Sequence, residues 1–142
     1  MANVHKDFHG ALSYGLQFLE EHYGPEGVQE FLSGLADTVY RPLTEAVRAE
    51  GLPALQRHWQ TIFDLEEGDI AMDLDGDTLL LTVWRCPAVS HLREHGYTVA
   101  AHFCEHTRIV NEAVCRAAGY AAEVTYDQEA GCCVQRFWRA AP

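Results

Sequence analysis

Apolar positions divide the chain into two regimes that meet at Gly68. In the first, Phe8, Leu12, Leu16, Leu19 and Tyr23 recur every three or four residues, which predicts a helix over Asp7 to Tyr23. Gly24-Pro25 closes that helix and opens another, with Pro25 near a first-turn position. The second helix carries Val28, Phe31, Leu32, Leu35, Val39, Leu43 and Val47 as an inward stripe. Pro42 interrupts the stripe and predicts a kink or break near Tyr40, and Gly51 ends it. A third helix is expected from Pro53 to Leu65, with Leu55, Trp59, Ile62 and Phe63 facing inward.

After Gly68 the period shortens to two. Ile70, Met72 and Leu74 alternate with Ala71 and Asp73, and Asp75-Gly76 marks a tight turn. Thr78 to Trp84 reads as a mostly buried return strand. Pro87 opens a short helix that reaches His95 and stops at Gly96, and a long helix is expected from Val99 to Ala118, closed by Gly119. Tyr120 to Tyr126 and Cys132 to Arg139 read as a second hairpin around Asp127 to Gly131. The expected class is α+β: N-terminal helices, then two β-hairpins forming an antiparallel sheet, with a helical pair between them. The 142 residues suit a single domain, 1–142, with a helical part over 1–67 and a hairpin-helix-helix-hairpin part over 68–142.

Composition narrows the function classes. The net charge is −11 and the ten basic residues form no run, which excludes a nucleic-acid partner. No apolar run approaches the roughly 20 residues of a membrane span. The N-terminus MANVHKDFHG lacks the apolar core of a signal peptide, so the expected location is the cytoplasm. Five cysteines, an odd number, argue against a disulfide framework there. With eight histidines, they point to nucleophile or metal chemistry.

Four pieces of the second half form a set: Arg85-Cys86-Pro87-Ala88, Cys104-Glu105, Tyr126-Asp127, and Gly131-Cys132-Cys133 followed by Phe137. In order and spacing the set resembles the L-2-amino-thiazoline-4-carboxylic acid hydrolase family, over roughly Leu79 to Trp138. In that family a strand ends in R-C-P, a second cysteine opens a long helix, and a third lies on the closing strand before an aromatic. The chain departs from the family at Thr107, where members often carry Asp; Glu105 or Asp127 is the substitute carboxylate. The family is distantly similar to vinyl-reductase-type sensor domains. The resemblance implies a hydrolase that acts on a small ring holding an amidine-type C=N carbon, through cysteine chemistry and without a required cofactor.

On that basis Cys104 is the expected nucleophile, with His106 or Glu105 as its proton-transfer partner. On a helix starting near Ala101 its thiol would lie in the first turn, where the helix end favours a thiolate. However, Cys104 and His106 project about 160° apart on a regular helix. Cys86 and the following corner would stabilise developing charge. Cys132 and Cys133 point to opposite sheet faces, so only one of them can join the site, with Cys133 the candidate. Arg85, Asn111 and Asp127 are the expected substrate contacts, and Cys115 is structural. His5/His9, His91/His95 and His102/His106 are i, i+4 pairs able to chelate a metal. Solvated surface histidine is the expectation for His5, His9, His91 and His95. A second arrangement places Cys86, Cys104, Cys132 or Cys133, and His106 around Zn²⁺, and a third makes the domain a small-molecule sensor. The amphipathic N-terminal helices suit a homodimer interface as well as an internal core.

Overall fold

The computed structural model describes residues 5–142, so the signal-peptide reading falls partly on residues 1–4, outside the described ones. Helix α1 runs over Asp7–Thr38. Gly24 breaks it with φ +72° and ψ −173°, a conformation only glycine takes without strain. Pro25 restarts the helix where its missing N–H costs nothing. The turn at Val39 and Tyr40 separates α1 from α2, Arg41–Glu50, which carries Pro42 in its first turn. Gly51, at φ +80°, then joins α2 to α3, Leu52–Glu66.

Strands β1 (Asp69–Asp75) and β2 (Thr78–Arg85) form the first hairpin, and β3 (Tyr120–Asp127) and β4 (Cys132–Arg139) the second. Between them lie α4, Pro87–Glu94, and α5, Glu105–Ala118. The hairpins join through β2 and β4, giving one antiparallel sheet of order β1-β2-β4-β3. Leu79, Leu81 and Val83 of β2 lie opposite Phe137, Gln135 and Cys133 of β4, and this face meets the helices. The architecture is α+β, as the patterning implies. The core unites Leu16 and Leu32 of α1, Val47 of α2, Leu55 of α3, Phe103, and Val114 of α5.

Three expectations need correction. Phe31 and Val39 are 43 % and 65 % exposed, because the buried row of α1 is Val28, Leu32 and Ala36, four residues apart. Trp84 is 56 % exposed because helices cover only one sheet face and its strand position points to the other. The long helix begins at Glu105, not Val99. Side chains capture the backbone groups a longer helix would use. Ser13 Oγ accepts from the Ala100 N–H at 2.8 Å and donates to the Thr98 carbonyl at 2.5 Å. Gln17 Oε1 accepts from the Ala101 N–H at 3.1 Å, and Gln128 Oε1 accepts from the Cys104 N–H at 2.9 Å. Among the described residues, no helix is long and apolar enough to cross a membrane.

Candidate active site

A cavity of about 170 Å³ lies where both ends of α1 meet α3, α5 and the β2–α4 corner. Phe8, Leu12 and Leu35 of α1 with Trp59, Ile62 and Phe63 of α3 form its apolar wall. His9, Glu66, Cys86, His106 and Asn111 supply its polar side, with Tyr40, Thr107 and Gln135 beside them. An apolar wall facing a few convergent polar groups is the usual form of a small-molecule site. The volume slightly exceeds that of an engineered cavity known to hold benzene, about 150 Å³. A larger concavity, an open groove along α1 lined by Tyr23, Glu26 and Phe31, holds no histidine or cysteine.

The decisive contact in the cavity joins His9 Nε2 to a Glu66 carboxylate oxygen. Glu66 is the last residue of α3 and only 9 % exposed. A carboxylate at a helix C-terminus opposes the helix dipole, and burying it adds desolvation. The histidine contact offsets both. With its Nε2–H donated to Glu66, neutral His9 keeps a lone pair on Nδ1. That nitrogen is buried and has no partner.

His106 is held differently. Its Nδ1–H donates to the Phe103 carbonyl at 2.6 Å, leaving the Nε2 lone pair 3.3 Å from the Thr107 hydroxyl. Burial pushes its pKa down to about 4, against the opposing pull of the Phe103 carbonyl, so the ring is neutral at pH 7. Asn111 Nδ2 donates to the Thr107 carbonyl at 2.9 Å and to Gln135 Oε1 at 3.1 Å. Its buried Oδ1 accepts from nothing. Cys86 precedes α4, and its own N–H donates to the Gly131 carbonyl at 2.8 Å. Burial raises its thiol pKa, and the negative charge of Glu66 adds to the rise. The facing N–H groups of Val89 and Ala88 pull the other way.

Cys86, His106 and Asn111 thus line one cavity, as does none of the other expected site residues. Cys104 is half-buried immediately before α5, and burial, with the nearby Cys86 and Cys133 sulfurs, pushes its thiol up to about 12. Shielding from water outweighs the helix-end effect on which the thiolate expectation rested. Glu105 bonds Arg108 through both oxygens at 2.7 and 2.8 Å and accepts from the Tyr126 hydroxyl at 2.9 Å. Those bonds, Arg108's first, hold its carboxyl below the ordinary range and occupy the lone pairs a base would use. Cys133 faces the helical layer and takes a 3.4 Å contact from Gln135 Nε2, while Cys132 points the other way. Cys115 is fully buried in the core. Arg85 turns away to donate to the Glu67 carbonyl at 2.8 Å. Asp127 is exposed and caps its own turn by accepting from the Ala130 N–H at 3.0 Å.

Comparison with protein-family models, curated proteins and solved structures gives no match.

Two of the expected surface histidines are tied to other elements. His9 pairs with Glu66, and His91 Nε2 meets Asp7 Oδ1 at 3.0 Å with its side chain only 11 % exposed. The His9–Glu66 pair was not among the expected site residues, yet both lie on readable stripes. Glu66 continues the Trp59, Ile62, Phe63 spacing, and His9 precedes Leu12 by three positions. Among the described residues, no group of three or more His, Cys, Asp or Glu side chains is arranged to hold a metal ion.

Proposed function

We propose that the chain is a hydrolase-type enzyme that opens a C–N or C=N bond in a small cyclic amidine of the thiazoline class, with its chemistry in the His9–Glu66 cavity. The observation that carries this reading is a histidine oriented by a buried carboxylate, its other nitrogen unpartnered, lining with a cysteine one cavity sized for a small ring. Orientation of an imidazole by a carboxylate is a recurring way to present a base to a nucleophile.

Two groups change role from the sequence-based assignment: Cys86 becomes the nucleophile and His9 its base. In the first step the Cys86 thiol proton passes to His9 Nδ1 as the sulfur adds to the carbon of the N-protonated, amidinium ring. The ring C–N bond then breaks, and the same proton goes to the departing nitrogen, which leaves as the amine. Water next adds to the carbon held on sulfur, giving one proton to His9; the Cys86 sulfur is then expelled and takes that proton back, and loss of the remaining hydroxyl proton to solvent forms the carbonyl of the ring-opened product. Because burial keeps the resting thiol protonated, a base within the cavity is required rather than optional.

The test is ring opening of 2-aminothiazoline substrates, followed as loss of the thiazoline absorbance and gain of one water in mass. Cys86→Ser and His9→Gln should each abolish turnover, whereas Cys104→Ser should retain it. Full activity in Cys86→Ser would end the covalent route. A binding-only domain of sensor type is favoured by the burial of Cys86, which raises its thiol pKa. Saturable binding of thiazolines with no turnover selects it. A zinc reading requires Cys86, Cys104 and Cys133 to lose their protons together, and one equivalent of zinc in the purified protein would support it. Homodimerisation through the outer face of α1, where Tyr14, Phe18 and Tyr23 are exposed, is tested by light scattering.

A further inference from the structure

We infer that the cavity selects rings that are rich in N–H donors and neutral or cationic, and that it discriminates against ligands carrying a carboxylate. This rests on reading the cavity as a small-molecule site and sharpens the substrate class. The argument begins with what the lining lacks: it contains no lysine or arginine, and its one carboxylate is Glu66. Two buried lone pairs are left without partners, those of Asn111 Oδ1 and His9 Nδ1, and a third, on His106 Nε2, meets only the Thr107 hydroxyl at 3.3 Å because its Nδ1–H is committed to the Phe103 carbonyl.

Two of these acceptors belong to side chains that other contacts hold in place. Asn111 is 1 % exposed and donates twice through Nδ2, so its amide cannot flip without losing both bonds. Glu66 fixes the His9 ring in the same way. The neutral donors available, such as the buried Trp59 indole N–H, carry no full charge to balance an anion. A carboxylate placed here would lose its water, gain no cation and lie near Glu66. An amidinium ring offers N–H groups to the orphaned acceptors and a positive charge to Glu66.

Lys6 and Arg85 border a separate polar cleft, which shares Glu66 and Pro87 with the cavity. There Arg85 is bonded to the Glu67 carbonyl at 2.8 Å, and Lys6 Nζ lies 3.9 Å from Glu67 Oε2. Neither lines the cavity.

The experiment titrates the intact protein by calorimetry with three probes: 2-amino-2-thiazoline, which is cationic near neutral pH, its 4-carboxylate, and uncharged 2-methyl-2-thiazoline. The expected result is at least tenfold tighter binding of the amino ring than of its carboxylate. Glu66→Gln, with its fold checked by circular dichroism, should weaken the amino ring about tenfold and leave the methyl ring within about twofold. Equal or tighter binding of the carboxylate overturns the inference, as does failure of the amino ring to bind. The two readings fail separately. The expected preference without turnover removes the hydrolase reading alone, whereas turnover with a preference for the carboxylate removes the charge selection and leaves the hydrolase.

Discussion

Replacing Ser13 by alanine tests whether α1 truly holds the segment before α5 in place. Ser13 is fully buried in the middle of the first half of α1. Its hydroxyl accepts from the Ala100 N–H at 2.8 Å and donates to the Thr98 carbonyl at 2.5 Å. Ala100 is only 1 % exposed, so its N–H has no ready access to water once the hydroxyl is gone. An orphaned buried donor costs about 1–3 kcal/mol, and the second bond is worth about 1 kcal/mol. The Thr98 carbonyl belongs to an exposed residue and can turn to water, which reduces the second loss. The expected destabilisation is therefore about 2–3 kcal/mol, a large share of the roughly 5–15 kcal/mol that holds a domain folded. Urea unfolding followed by tryptophan fluorescence should show a lower midpoint with an unchanged slope. The same segment carries Phe103, whose carbonyl orients His106, so on the proposed reading of the cavity binding of 2-amino-2-thiazoline should weaken further than the folded fraction falls. A loss of stability below about 0.5 kcal/mol would refute the clasp.

Protonation of His106 should shape the acid limb of stability. Its folded pKa of about 4 lies below the ordinary 6.5, so the unfolded chain binds more protons between those values. Stability should fall as pH drops through that window, by on the order of 3 kcal/mol, and a His106→Gln variant should show a flatter urea-midpoint profile. Cys104, with its thiol near 12 rather than 9, should be alkylated by iodoacetamide roughly a thousandfold more slowly than in the unfolded chain at pH 8; peptide mass mapping reads this, and comparable rates would remove the assigned shift. Gly51→Ala should cost more than about 1 kcal/mol in thermal or urea unfolding. The position has φ +80°, and an added Cβ would approach the Tyr120 hydroxyl oxygen to 3.0 Å. Arg108→Ala, which removes a partly exposed bridge to Glu105 and Glu112, should cost only about 0.5–1 kcal/mol by the same measurement.

The elements were legible wherever local chemistry decides them. Asp75-Gly76 between alternating runs is a turn in any context, and Gly24-Pro25 breaks a helix by its backbone alone. The start of α5 was not legible, because residues of α1 and the β3–β4 turn, distant in the chain, take up the amides of Ala100, Ala101 and Cys104. The same limit governed the site. His9 and Glu66 are 57 positions apart, and nothing local to either announces the other. The cysteines drew attention because they are conspicuous in the sequence, whereas their protonation depends on burial that only the packed helices and sheet create. Asn111 was expected on the Cys104 side of α5, away from the buried stripe, yet it is 1 % exposed and lines the cavity with His106 instead.

The strand order has a consequence for how the molecule is made. β4 is synthesised after the other three strands yet pairs between β2 and β3. While a ribosome is still extending the chain, β2 and β3 each have an open edge along the seam that β4 will fill, and such edges invite pairing with other chains. Gln135 rides on that late-arriving strand, so the bond it accepts from Asn111 cannot form until the sheet closes. The nascent polypeptide therefore closes this vulnerable gap and completes the lining of the cavity in one event.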